Sequence, residues 1–235
     1  MDNTQDLFQY ESLAFFGKIN ASISHELKNV MAIISETAGL LSDLSDMASI
    51  GSPVAPDMLN SCTASIAEEI ERGFTTIRQM NRFSHSVDHP VQSVNLADVL
   101  ELVVNLAGYL SIAGKTRLKP CEGVNPVVLT CPFLLQAITY QALVAVFKNA
   151  DPGGEITISI QPQNDLAWGI IFSGVNVTEF QGFPDTNTQR MAESIGVDIC
   201  WECTAGRLEI EVPQTLERVQ PQQTSTAIPN SVSGQ

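Results

Sequence analysis

FFGKINASISHELKNVMAIISETAGLL, residues 15–41, decides the architecture: its apolar residues recur every three or four positions and no proline interrupts them. The pattern runs from Thr4 to Met47 and predicts one unusually long helix. At roughly 100° per residue, with Ile19 as zero, Phe16, Ile23, Leu27, Val30, Ile34 and Leu41 fall between roughly 20° and 80°. His25 falls at roughly 240°, almost opposite that stripe. Lys18, Asn29 and Glu36 share its side, and so do the small residues Ala21 and Ala32, which leave an open platform around the imidazole. Periodicity alone describes His25 as a solvated surface histidine, a residue type that titrates harmlessly in many proteins.

Beyond this helix, the segment Ala48 to Pro56 carries Gly51, Pro53 and Pro56 and breaks the pattern. A second helical pattern follows from Asp57 to Phe83, with Leu59, Cys62, Ile66, Ile70, Phe74, Ile77 and Met80 at spacings of three or four. Two helices joined by a short connection form an antiparallel hairpin. A hairpin cannot cover its own apolar stripe, so a homodimer closing into a four-helix bundle is expected. After His89-Pro90 the pattern changes. Helices are expected at Leu96 to Tyr109, with Asn95 as N-cap, at Pro132 to Phe147 and at Thr188 to Ile195. Strands are expected at Thr116 to Lys119, Val127 to Leu129, Glu155 to Gln161, Ala167 to Ser173, Val197 to Cys203 and Arg207 to Val212. The expected fold class is therefore α+β, an antiparallel helical hairpin (residues 1–89) followed by a small α/β sandwich (residues 90–213). Residues 214–235 are rich in Gln, Ser, Thr and Pro and read as a disordered tail. No internal repeat is visible.

Composition narrows the function classes. A formal net charge of −14 with 12 basic residues speaks against nucleic acid and anionic membranes, whose phosphates need clustered Lys and Arg. No run of about 18 apolar residues occurs, so no membrane span is expected. The polar opening MDNTQDLFQYES lacks the order of a secretion signal. Five cysteines argue against a disulfide framework. A cytoplasmic location is the expectation.

Ser24-His25-Glu26-Leu27-Lys28-Asn29 resembles the phospho-acceptor box of two-component sensor histidine kinases, His-Glu/Asp-x-x-Asn/Thr, and Val30-Met31-Ala32-Ile33-Ile34 resembles the apolar run that follows it. With a breaker, a second helix and an α/β domain in order, the resemblance covers about residues 10–213. Val30 stands where many members carry proline, which removes a kink and leaves the chemistry untouched. The resemblance implies that His25 accepts the phosphoryl group. It implies that Glu26 orients the ring or takes its proton, and that Asn29 contacts the phosphoryl group or a water. Lys28 would offset phosphate charge, or simply belong to a solvated helix face.

In the same family the second domain binds ATP through two asparagines four residues apart on one helix and an Asp-x-Gly-x-Gly strand end. Leu134 to Val146 resembles that helix, but Tyr140 and Val144 stand at the asparagine positions, and a register using Asn149 puts Ala145 opposite it. The strand end reads Phe172-Ser173-Gly174-Val175-Asn176, with Phe172 for the aspartate and Asn176 for the second glycine. The lid segment from Val177 through Phe183-Pro184 to Asn187 is short and poor in glycine. No cofactor is therefore expected to bind this chain, and Mg²⁺ would come with a partner receiver domain.

Three other features carry less. Cys200-Trp201-Glu202-Cys203 has redox or zinc spacing without a second ligand pair, and on a strand its cysteines would face opposite ways. His85 and His89, near a helix end, lack a carboxylate motif that would make them metal ligands; a role at the helix C-terminus fits them better. Asp151 to Gly154 is a turn before a strand. The expected function is a histidine phosphotransferase moving phosphoryl groups between response-regulator receiver domains through His25. The alternatives are an adaptor or phosphatase that docks response regulators, and a divergent active sensor histidine kinase.

Overall fold

The computed structural model describes residues 3–108, 115–121, 124–151, 154–175, 180 and 182–216, with side chains from residue 12 onward. Helix α1 spans Asn3–Ser49 without interruption. A turn at Ile50 and Gly51, where Gly51 takes a φ of 82°, reverses the chain into α2, Pro56–Ser84. Pro56 lies at the first helical position, where its missing N–H costs nothing. The two helices pack side by side as the expected hairpin. At their closest approach Val30 is fully buried over Gly73; a Cβ on Gly73 would stand 3.3 Å from the Val30 Cγ1. Val30 thus fills the groove between the helices, and α1 runs uninterrupted through the box.

After a short 3₁₀ turn, His85–Val87, come β1 (Gln92–Asn95), α3 (Leu96–Gly108), β2 (Lys115–Leu118), β3 (Val127–Thr130) and α4 (Pro132–Asn149). Then follow β4 (Glu155–Asn164), β5 (Ala167–Ser173), α5 (Thr186–Ser194), β6 (Asp198–Glu202) and β7 (Arg207–Pro213). The larger sheet runs β2-β4-β5-β7-β6, with β2 parallel to β4 and the other pairs antiparallel. The apolar strand β5 is central and buried along most of its length, as an uninterrupted run such as AWGIIF requires. Asn95 caps α3 as expected, its Oδ1 accepting from the Ala97 N–H at 2.8 Å. Asp185 does the same for α5, accepting from the Thr188 N–H at 2.7 Å, so that helix starts two residues earlier than its apolar pattern suggests.

Strand β1 is an addition to the expected elements. QSVN is short and mostly polar, and it becomes a strand only by pairing antiparallel with β3. Residues 214–216, assigned to the tail by composition, are tied down. The Gln214 N–H donates to Leu166 O, and Gln214 O accepts from the Leu129 N–H, both at 2.8 Å. Tyr109, Asn176, residues 177–179 and 181 of the lid segment and the tail from residue 217 fall outside the described residues.

Helix α4 is apolar on nearly every side because all but the side carrying Gln141, Val144 and Lys148 is covered. One face meets the sheet and another meets the hairpin. Phe15, Phe16, Phe83, Phe133 and Tyr140 interlock there, with ring centroids of 5.3 Å for Phe15–Tyr140, 5.3 Å for Phe16–Phe83, 5.7 Å for Phe15–Phe83 and 5.6 Å for Phe15–Phe133. One continuous apolar core therefore runs from the lower half of the hairpin into the α/β part. Among the described residues no helix is long and apolar enough to cross a membrane.

Candidate functional site

The long helix presents the box as its periodicity requires. Ile19, Ile23 and Val30 are buried, and Phe16, Leu27, Ile34 and Leu41 are partly covered. His25, Lys18, Ala21, Lys28, Asn29, Ala32 and Glu36 are all exposed on the other side. The imidazole sits about 9 Å along the helix axis from Ile19, at about 1.5 Å per residue. It thus stands above the level at which the aromatic cluster joins α1 to the α/β part.

Two contacts define the site. The Asn29 side-chain amide, one turn on, stands 3.3 Å from Nδ1 of His25. Glu26 leaves the ring alone and turns into the groove between the helices. There its Oε1 accepts from Nε of Arg72 at 2.9 Å and from Nη2 at 2.7 Å. Nη1 of the same guanidinium donates to both oxygens of Glu69, at 2.9 and 3.0 Å. The hydrogen bond to Glu26, reinforced by the charges of Glu26 and Glu69, holds the Arg72 guanidinium above its ordinary pKa against the opposing effect of burial. Hence the structure brings Asn29 to the ring, ties Glu26 to α2 and leaves Lys28 exposed. Arg72 was not foreseen. It lies far from the box in sequence, and only the phase of α2, which puts residue 72 beside buried Gly73, points it towards α1.

The region that the sequence resemblance would align with a nucleotide site is differently furnished. A cleft of about 320 Å³ beside α4 is lined by Gln141, Val144, Ala145, Lys148, Asn149, Gly182, Phe183 and Asp185. Tyr140 and Val144, four residues apart, do not share it. Val144 lines the cleft, whereas Tyr140 turns to the hairpin, 1% exposed, with the Lys18 Nζ 5.3 Å from its ring centroid. The Asn149 amide donates to Ala145 O at 2.8 Å. Phe172, at the aspartate position, is fully buried in the core. Gly174, the retained glycine, has a backbone reason to persist: its φ is 103°, and a Cβ there would stand 2.5 Å from Glu155 O.

Tyr140 also leaves a measurable mark. Its hydroxyl is buried without a hydrogen-bond partner among the described residues, and burial pushes the phenol up to about 12. The unfolded chain releases that proton near pH 10. The stabilising contribution is therefore complete below about pH 10 and falls by about 1.4 kcal/mol per pH unit towards pH 12. Tyr140→Phe should lose this alkaline component while changing stability at neutral pH by no more than about 1 kcal/mol, since it deletes an unpaired group. Urea unfolding of both proteins at pH 9 and 11 checks this by the difference between them.

The remaining candidates are placed plainly. His85 is the C-cap of α2, and its Nδ1 lies 2.7 Å from Oδ2 of Asp88, while His89 is exposed. Cys200 on β6 and Cys203 in the turn beyond it are both exposed.

No family model matches the chain, and no curated protein does. Solved structures do. One is described as a bacterial phosphotransferase, 11% identical over 84% of this chain and 95% of that one, with a TM-score of 0.44. Another is the Acinetobacter baumannii histidine kinase AdeS, 10% identical over 81% and 98%, with a TM-score of 0.41. A third is the cytoplasmic segment of the histidine kinase QseC, 17% identical over 61% and 93%, with a TM-score of 0.37. These superpositions are loose, and the functional reading below rests on the chain's own residues.

Proposed function

We propose that the chain is a histidine phosphotransferase of a phosphorelay. His25 takes a phosphoryl group from the aspartyl phosphate of one receiver domain and hands it to the aspartate of another. The observation that carries this reading is the exposed His25 ring, with the Asn29 amide at its Nδ1, on an open stretch of α1. Transfer of this kind asks for little beyond an accessible, oriented nucleophile held in line with phosphorus. The receiver would supply the Mg²⁺. ATP is an unsuited donor, because Tyr140 and Phe172 replace a metal-binding amide and a base-reading carboxylate with buried aromatic rings.

The working form is a homodimer. On α2, Leu59, Ile70, Phe74 and Ile77 are exposed and lie along one side of the helix, and Leu13 and Met31 are exposed on α1. An apolar stripe of this length on a hairpin is the kind of surface a second hairpin covers. Phe74→Glu is expected to elute as a monomer where the parent elutes as a dimer, at concentrations of about 10 µM typical of gel filtration. A parent protein that elutes as a monomer would remove the bundle from the account.

The function is tested by incubating the protein with labelled ATP, and separately with a receiver carrying labelled aspartyl phosphate. Label on His25 in the second mixture alone supports the relay. Label from ATP alone would make the chain a kinase, and no label from either would leave an adaptor.

A further inference from the structure

Glu26 is the neighbour from which a phospho-accepting histidine would be expected to draw its orientation, yet the contacts around the ring distribute the roles otherwise. We propose that Asn29 is the positioning residue of His25, holding Nδ1 so that Nε2 takes the phosphoryl group, while Arg72 withdraws Glu26 from the ring. The inference rests on His25 being the phosphoryl acceptor.

A histidine can attack phosphorus with one ring nitrogen only while the proton sits on the other. Nδ1 of His25 has the Asn29 amide at 3.3 Å, and Nε2 makes no hydrogen bond among the described residues. Nε2 therefore faces an arriving partner and Nδ1 is the atom being managed. Glu26 is engaged elsewhere, with Arg72 binding its Oε1 through two charge-assisted hydrogen bonds. Arg72 is itself anchored on Glu69, so the clamp is fixed from the α2 side.

A neutral amide suits the task in both directions of a relay. With its nitrogen towards Nδ1, the amide donates and the proton stays on Nε2, which makes the ring a poor nucleophile at rest. Turned about its terminal bond, the amide offers Oδ1, accepts from Nδ1–H and frees the Nε2 lone pair. That lone pair then forms the N–P bond as the P–O bond of the donor's acyl phosphate breaks, and the bonding electrons leave on the donor carboxylate. The Nδ1 proton stays on the ring, which becomes a phosphoimidazolium, its positive charge resting against Oδ1 of Asn29. A carboxylate in this place would draw the proton away and make the ring a poorer leaving group for the second transfer. An amide leaves the proton where the outgoing step needs it.

The test uses the whole protein, ¹⁵N-labelled at histidine, and potassium phosphoramidate as a chemical phosphoryl donor that needs no receiver. Phosphorylation at Nε2 is expected in the parent, read from ³¹P–¹⁵N coupling. Asn29→Ala should change the His25 ring ¹⁵N shifts and slow uptake by tenfold or more. Asn29→Asp, which can still accept from Nδ1–H, should move the resting ring towards the Nδ1–H tautomer and recover uptake to within threefold. Glu26→Gln should leave both readouts within threefold of the parent. Phosphate on Nδ1, unchanged ring shifts in Asn29→Ala, or a loss in Glu26→Gln as large as in Asn29→Ala would each overturn the assignment. Both substituted residues lie on the helix surface or its groove edge, and thermal melts of each variant confirm folding. The outcome stays separable from that of the relay reading. A protein inert to receivers that behaves as described with phosphoramidate keeps this inference and loses the relay, while transfer between receivers that fails only in Glu26→Gln does the reverse.

Discussion

His25→Ala should abolish phosphoryl uptake, with a loss of about 10³-fold or more, because the proposed transfer forms its bond to phosphorus on the imidazole. The same substitution should leave the fold as it is. His25 is exposed, its one hydrogen bond among the described residues is to an exposed Asn29, and alanine is a better helix former. Stability should therefore stay within about 0.5 kcal/mol of the parent. Acid-labile phosphate after incubation with a phosphorylated receiver measures the first effect, and urea unfolding measures the second. Loss of uptake together with loss of stability would point to a packing role that the exposed ring does not show. Retained uptake would place the acceptor on another residue.

The second large effect is structural. Phe83 is fully buried where α2 ends, and its ring meets Phe15, Phe16 and Phe133. Phe83→Ala removes the common partner of these rings and leaves a cavity that helices anchored at both ends cannot collapse to fill. A loss of about 3–5 kcal/mol is expected. For a chain of this size that lowers Tm by about 6–20 °C. The damage should also be directional. The α/β part is held to the hairpin through this cluster, so hydrogen exchange should rise first at the junction, in residues 85–95 and the start of α4. A stability change below about 1 kcal/mol would contradict the picture of one core shared by hairpin and α/β part.

How legible these features were in the sequence depends on the range over which each is determined. The exposed side of α1 follows from spacing within a single helix, so His25, Lys18, Asn29 and Glu36 stand where a 3.6-residue period puts them. The caps at Asn95 and Asp185 are equally local, although only the first was anticipated. Strand β1 was missed because QSVN has no apolar alternation of its own and exists through its pairing with β3. Tyr140 shows the same limit from the other side. Its place in the α4 sequence marks it as a lost asparagine, but its turn towards the hairpin depends on Phe15 and Lys18, far away in the chain. Glu26 was read from its neighbour in the box, and its partner proved to be Arg72, across the groove on α2. The pattern is consistent: His25 and Asn29 are readable from the box on one helix, whereas the Arg72 partner of Glu26 appears only when α2 packs against α1.

At the positions where the histidine-kinase resemblance would place nucleotide-binding groups, the side chains pack instead: Tyr140 in the aromatic junction and Phe172 in the sheet core, with Gly174 in a tight approach to Glu155. His25 and Asn29, on which the proposed transfer rests, stay solvent-facing.

The most direct measurement follows a labelled phosphoryl group through a mixture of two receiver domains, only the first of which carries it at the start, with no ATP present. The account predicts that label appears on the second receiver only when the protein is added, that it passes through an acid-labile adduct on His25, and that His25→Ala blocks the passage. Label that reaches the second receiver without occupying His25, or that stays on the first receiver in the presence of the intact protein and a set of candidate partners, would contradict it.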